Sequence, residues 1–435
     1  MSRFGTGRMD ERYAALSACV GAYFAVRLAQ LLVSPLVPSL RVDFGVSRGA
    51  VGVVLTGMWL VYACSQVPSG AAGDRYGPRR VVCVALGSTA VAALALAAAP
   101  SMLTFGAFAL LLGVGAGLYY TPATTLLAAR FEEVGQVIGV HRVGSQVAGL
   151  VAPALAAVLG ARFGWRVALG SGAVVASAVL GVLLVGGSST SRPHSPPATR
   201  ADGGVAVRPR ALVGVLARPP VAFAATLAAI GEFAALTTVS FLPTFLVEHH
   251  GLPLPTAGAL FGAYFVVVAS LQPVSGWLSD RFGRDTVTGA LFAAGAVGYA
   301  ALAVGSGLVL AVPAVALVGV AMAWGPPVQS RAVDALAEAE RGVGFGAVRT
   351  GYILVGALGP VVVGTLADET GWTVGFGLLA VALALAAVAL TLATLVGQER
   401  RPLGSAAFGL FPPQNRGGDD GPPHGDDDAD GRGPG

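Results

Sequence analysis

A chain that turns apolar for about twenty residues, breaks, and repeats this twelve times has few ways to fold. A helix that crosses a bilayer needs about 20 mostly apolar residues. Such runs cover roughly 13–40, 48–72, 81–99, 101–129, 135–160 and 166–187, then 219–247, 256–279, 286–305, 307–330, 342–366 and 373–396. Only 11% of the residues are charged and 54% are hydrophobic, whereas a soluble domain carries about 25% charged residues. The chain has too little charge to cover a water-facing surface. Inside a bilayer every backbone amide must be bonded within the protein, so the expected fold is an all-α membrane protein with twelve transmembrane helices. The arginines before the first run resemble the start of a signal peptide, but that run continues to about residue 40. It is too long for a signal-peptide core and reads as the first spanning helix.

The segments between and after the runs set the organisation. "GGSSTSRPHSPPATRADGGVAVRPR", 186–210, is rich in Ser, Pro and Gly and cannot bury a core. The last stretch is Gly- and Pro-rich and ends in "GDDDADGRGPG". The expected units are a six-helix bundle over 1–187, a cytoplasmic linker over 188–218, a second six-helix bundle over 219–397 and a disordered cytoplasmic tail over 398–435. All 27 basic residues are arginines, scattered singly, which does not suit a nucleic-acid partner. Arg41, Arg48, Arg162 and Arg166 fall on one side of the membrane, Arg27 lies within the first run, and the other 22 fall on the opposite side. The positive-inside rule then puts both termini and the linker in the cytoplasm, in the cell membrane. Cys19, Cys64 and Cys83 lie in apolar runs without metal-ligand spacing and read as core packing. His249 and His250 have no further His or Cys nearby and read as ordinary loop polarity.

The two halves of the chain repeat each other. "HRVGSQVAGLVAPALAAVLGARFGW", 141–165, aligns with "VRTGYILVGALGPVVVGTLADETGW", 348–372, at an offset of 207. Arg142 meets Arg349, Gly144 meets Gly351, Gly149 meets Gly356, Pro153 meets Pro360 and Trp165 meets Trp372. Two apolar helices similar by chance would match Ala and Val, not an Arg, a Pro and a Trp in register. "GAAGDRYGPRR", 70–80, likewise returns as "GWLSDRFGRD", 276–285. Two six-helix halves of like topology are the arrangement of transporters whose halves rock about a central site.

The first charged stretch, with Gly70, Asp74, Arg75, Gly77, Arg79 and Arg80, resembles the signature loop of the major facilitator superfamily. The weaker copy, with Gly276, Asp280, Arg281, Gly283 and Arg284, stands where that family has one too. The resemblance implies two pseudo-symmetric six-helix bundles and a loop that acts as a latch, changing partners as the halves rock. Gly70 and Gly276 are expected to admit a close helix approach, Gly77 and Gly283 to form tight turns. Asp74 and Asp280 are expected just before the third and ninth helices, where the positive helix end favours a carboxylate. Arg79 and Arg80 are expected at the inner headgroups, as latch parts or as plain anchors. Arg142 and Arg349 are expected as partners of the loop aspartates, as the inner cavity rim, or as snorkelling side chains. The fifth run keeps Gly144, Gly149 and Pro153 of the family's antiporter signature but has Ala152 before the proline. Ala109 stands where drug antiporters of the family often have an arginine tied to proton coupling.

Charges deep in a bilayer are costly and face a cavity or a partner. Arg27, in the first run, and Glu232, halfway along the seventh, are such charges, and the family's first and seventh helices line its central cavity. Arg27 is the candidate for holding an anionic group, with Tyr23 and Gln30 a turn either side. Glu232 is the candidate proton carrier; the alternative is a structural ion pair between the two. Tyr119, Tyr264, Trp324 and Tyr352 are further substrate candidates, with Tyr120, Gln146 and Gln272 behind them. The third, sixth, ninth and twelfth runs contain no internal charge and are expected to face lipid. No Walker loop and no Ser-His-Asp constellation occurs in the sequence.

The expectation is therefore not an enzyme but a monomeric secondary transporter, without cofactor or metal, driven by an ion gradient. Its cargo is a small organic anion or other small organic solute. The alternatives are an exporter of amphipathic compounds and a non-transporting sensor on the same scaffold.

Overall fold

The computed structural model describes residues 6–131, 134–185 and 214–399. Within these, twelve helices are long and apolar enough to cross a membrane. The first six are α1 (Arg12–Phe44), α2 (Arg48–Tyr76), α3 (Pro78–Ala97), α4 (Met102–Ala128), α5 (Gln136–Phe163) and α6 (Trp165–Val185). The second six are α7 (Pro219–Glu248), α8 (Leu254–Phe282), α9 (Arg284–Val304), α10 (Leu308–Asp334), α11 (Gly344–Glu369) and α12 (Trp372–Leu395). In the first half α1 packs on α5, α2 on α4 and α3 on α6; in the second α7 packs on α11, α8 on α10 and α9 on α12. These pairings correspond one to one, as a repeated six-helix unit requires. The halves meet through α2 against α11, α5 against α8, and α1 against α7. The linker expected over 188–218 lies outside the described residues except for its last five, and so does all of the expected tail beyond Glu399.

Prolines interrupt three helices, α1, α10 and α11. A proline has no N–H for the carbonyl four residues earlier. Pro35 so deprives Leu31, and α1 breaks between Leu31 and Val33. Pro360 deprives Gly356, and α11 breaks between Gly356 and Gly359. In α10 the pair Pro326–Pro327 follows a tightened turn over Met322–Trp324. The carbonyl of Ala323, left without its helical donor, accepts a hydrogen bond of 2.8 Å from Ser275 Oγ of α8.

The repeated charged stretches are tighter than a loop. α2 runs to Tyr76, Gly77 turns with φ +89°, and α3 starts at Pro78. α8 runs to Phe282, Gly283 turns with φ +91°, and α9 starts at Arg284. Asp74 and Asp280 therefore sit in the last turns of α2 and α8, not before α3 and α9. One glycine of positive φ completes each turn, so the preceding helix stays hydrogen-bonded past the aspartate. The favourable helix end expected for these carboxylates is thus not theirs. A Cβ on Gly70 would lie 3.5 Å from Thr121, and one on Gly276 would lie 3.4 Å from Pro326, both ordinary contacts. The close approaches fall elsewhere: a Cβ on Gly113 or Gly117 of α4 would meet α2 carbonyls at 2.4 Å, and one on Gly144 would meet Val20 O at 2.3 Å.

Of the helices expected to face lipid, α6 and α12 are the least buried of the twelve, at 28% and 33%; α3 and α9, at 50% and 44%, are as buried as the rest. α3 and α9 are each held between two neighbours, α4 and α6 or α10 and α12, yet still expose Val84, Val91 and Leu94 or Val297 and Val304, and neither lines the cavity between the halves. Cys19 is buried, but Cys64 is exposed on the flank of α2 rather than packed in the core.

Candidate functional site

A cavity of about 380 Å³ lies between the two halves. Tyr23 and Arg27 of α1, Trp59 and Tyr62 of α2, Tyr120 of α4, and Arg142 and Gln146 of α5 line it from the first half. From the second come Glu232 of α7, Tyr264 and Gln272 of α8, Trp324 and Gln329 of α10, and Arg349 and Tyr352 of α11. The lining thus holds three guanidinium groups against one carboxylate.

Each charge is positioned by its neighbours. Arg27 donates through Nη1 to Gln30 Oε1 at 2.8 Å, and its guanidinium stands 5.5 Å from the centre of the Trp59 ring. Its Nε is buried without a hydrogen-bond partner among the described residues. Arg349, from the second half, stands 5.4 Å over the ring of Tyr120, from the first. Such cation–ring contacts hold a guanidinium without neutralising it. Glu232 is set by two glycines. A Cβ on Gly356 would come 2.6 Å from Glu232 Cγ, and one on Gly231 would come 2.6 Å from the Trp324 ring. α7 thereby lies close against both α11 and α10. Glu232 shares the cavity wall with Arg27, Arg142 and Arg349, yet no ion pair joins Glu232 to Arg27 among the described residues.

The end of the bundle away from the Gly77 and Gly283 turns is closed. Glu248 of α7 accepts from Arg41 Nη1, from Arg48 Nε at 2.7 Å and from Trp372 Nε1 at 2.9 Å. Asp368 of α11 accepts from the backbone N–H groups of Arg48 and Gly49 at 3.0 and 2.6 Å, capping α2 across the interface. Deeper in, Ser34 Oγ donates to Ser240 O at 3.1 Å, Trp59 Nε1 to Ser240 Oγ at 3.3 Å, and the Val361 N–H to Thr56 Oγ1 at 3.1 Å. A Cβ on Gly52 would lie 2.5 Å from Pro360 O, so the backbones of α2 and α11 touch here. At the end with the glycine turns, no hydrogen bond between halves occurs among the described residues, and Arg142 is exposed. The cavity is closed at one end and opens toward the other.

Of the sequence candidates, Tyr23, Arg27, Glu232, Tyr264, Trp324 and Tyr352 line the cavity, as do Tyr120, Gln146 and Gln272. Two candidates do not. Tyr119 is fully buried away from it, with its hydroxyl on Cys19 O and 2.9 Å from His141 Nε2. Adjacent helical residues point about 100° apart, so Tyr120 takes the cavity and Tyr119 the helix interface. Gln30 lies behind Arg27 and orients it. Arg142 and Arg349 are in the cavity wall rather than on the loop aspartates; neither forms an ion pair with Asp74 or Asp280 among the described residues. In the signature stretches Arg79 donates to Leu183 O of α6 at 2.6 Å, Arg80 is exposed, and Arg75 and Arg281 lie over the rings of Tyr76 and Trp277. Arg284 pairs with Asp334 of α10 at 2.9 Å. Trp59, Tyr62 and the Arg41–Arg48–Glu248–Asp368 closure were not among the sequence candidates. One signal pointed to the closure: the 207-residue offset that pairs Arg142 with Arg349 also pairs Arg41 with Glu248.

Twelve membrane helices in two matched halves, with a charged cavity at the seam closed at one end, define a multi-pass membrane transporter. Comparison with known proteins makes the class specific. The sequence matches the profile of the Major Facilitator Superfamily over residues 19–268 and 221–415, and the chain belongs to that family. It is 28% identical over 284 residues to a probable nitrate/nitrite transporter, NarK2, of Mycobacterium tuberculosis, covering 62% of this chain and 67% of the relative. It is 35% identical over 195 residues to a probable actinorhodin transporter of Streptomyces coelicolor, covering 42% of this chain and 33% of that one. The fold is similar, with a TM-score of 0.73 and 17% identity, to a bacterial homologue of the human lysosomal transporter Spinster, over 88% of this chain and 95% of that one.

Proposed function

We propose that the chain is a proton-coupled secondary transporter that carries an anion by alternating access. The observation that carries this reading is the cavity's charge: three arginines, drawn from both halves, face a single carboxylate. Guanidinium groups without an ion-pair partner among the described residues favour a negatively charged guest. The nitrate/nitrite relative is consistent with an anion as cargo.

Coupling follows from competition. Glu232 and a bound anion share the same guanidinium groups, so an anion beside Glu232 favours its protonated form. By linkage, a proton on Glu232 equally favours the anion. Proton and anion then move together, and no nucleotide or cofactor is needed. The positive-inside rule places the Gly77 and Gly283 turns, and both termini, in the cytoplasm of a cell-membrane protein. The conformation is then inward-open, with the Glu248 and Asp368 contacts as the outer closure, and a monomer contains the whole site. The partial antiporter signature in α5 and the many rings in the cavity favour a second reading, an exporter of amphipathic compounds.

The test is the protein in liposomes with a trapped pH dye and a panel of organic anions, neutral solutes and cationic drugs. An anion is expected to acidify the lumen when added outside, and Glu232→Gln to abolish that response. A response confined to cationic or neutral amphipathic compounds would favour the exporter; acidification that survives Glu232→Gln would remove Glu232 from the mechanism.

A further inference from the structure

The cavity holds more than charge. Five of the chain's nine tyrosines and two of its five tryptophans line it, together with Phe265 and Phe345. The rings come from both halves, so a guest bound between the halves has aromatic walls on either side. Tyr62, Tyr120 and Phe345 are only partly buried in the cavity wall, while Trp324 meets Tyr352 edge to face at 83° and Trp59 meets Tyr62 at 87°. Arg27 and Arg349 rest on Trp59 and Tyr120, so cation and ring occur side by side in both halves.

Size points the same way. One water occupies about 30 Å³ of liquid, and a three-oxygen inorganic anion is on the order of two waters. It would make no use of the rings, and the cavity, open at one end, has room for a larger guest. Pockets of about 300–1,000 Å³ hold drug-sized organic molecules. Resting on the anion reading above, we propose that the cargo is an organic anion that carries an aromatic ring. The acidic group is held by Arg27 and Arg349, and the ring lies between the aromatic walls. A neutral aromatic guest would leave the guanidinium groups, including the buried Arg27 Nε, without a counter-charge.

The probes are 2-naphthoate, its saturated counterpart decalin-2-carboxylate, the neutral 2-naphthamide, and nitrate. Each is measured by equilibrium dialysis on the full chain in lipid nanodiscs. Naphthoate is expected to bind about tenfold or more tighter than each of the other three, the size of effect aromatic contacts supply. Tyr62→Leu and Tyr120→Leu, which keep apolar volume without a ring, are expected to erase the preference over decalin-2-carboxylate while the protein stays monodisperse. If decalin-2-carboxylate or nitrate binds as tightly as naphthoate, the aromatic inference is overturned and the anion reading stands. If naphthamide binds as tightly, charge is not used and both fall. If none of the four binds, the inference is overturned, and the liposome panel alone decides whether the anion reading survives.

Discussion

Glu232 and Gly356 show how single residues set the site. The carboxylate stands out in the sequence as the one acid inside an apolar run, but what holds it against α11 is the missing side chain of Gly356. Gly356→Ala would put a methyl group 2.6 Å from Glu232 Cγ. Overpacking of this kind costs about 1–3 kcal/mol, and the side chain must move to relieve it. Transport is expected to fall severalfold in vesicles, whereas Gly70→Ala, whose new Cβ meets only an ordinary contact, should transport and melt like the wild type. Equal losses in the two variants would contradict this. Tyr119→Phe separates packing from transport in the same way. It removes a buried hydrogen bond, a loss of about 1 kcal/mol in thermal unfolding, and should leave substrate affinity unchanged because the hydroxyl faces Cys19 and His141. Sequence could not tell Tyr119 from Tyr120, since two aromatics in an apolar run carry no mark of which side faces the cavity. Trp59 and Tyr62 escaped notice for the same reason.

At the scale of helices, the repeat announced itself through Arg, Pro and Trp in register, and the twelve spans through their apolar length. The closure at the end away from the glycine turns was harder to read because its four charged residues lie near helix ends, where charge is commonplace. Only the assembled bundle brings α1 and α2 against α7 and α11. Glu248→Gln is expected to weaken that closure and shift the population toward an outward-open form. The readout is Thr56→Cys in a background with Cys19, Cys64 and Cys83 replaced, labelled by a membrane-impermeant thiol reagent from outside. Adding Glu248→Gln should raise the labelling rate severalfold; an unchanged rate would show that the ion pairs do not hold the end shut. A second link ties the start of α7 to the turn before α11, where Arg218 donates to both oxygens of Glu340 at 2.6 and 2.9 Å. Those hydrogen bonds hold the Glu340 carboxyl below its ordinary value of 4.5. Its stabilising contribution is therefore complete above that value and is lost as pH falls through the lower folded one. Because both groups are solvated, the contribution is small. The melting difference between wild type and Glu340→Gln should be present above the carboxyl's ordinary value of 4.5 and shrink as pH falls below it. A difference that stays constant as pH falls would contradict the assignment.

For the whole molecule, fold and family were legible because lipid imposes a length and a composition on every span. The central pair Arg27 and Glu232 was legible because charge in lipid is costly. Arg142 and Arg349 were visible as a repeat pair, but their place in the cavity depends on how the halves lean together, which no local pattern records. That lean also decides the central claim, that one carboxylate and three arginines couple a proton to an anion. The most direct measurement compares net uptake with exchange in the same vesicles for wild type and Glu232→Gln. Net uptake driven by a pH gradient should disappear in the variant, while exchange of labelled for unlabelled anion across the membrane persists, because the arginines still bind the cargo and the halves still rock. Loss of both activities together would make Glu232 a structural part, and retention of both would place proton coupling elsewhere.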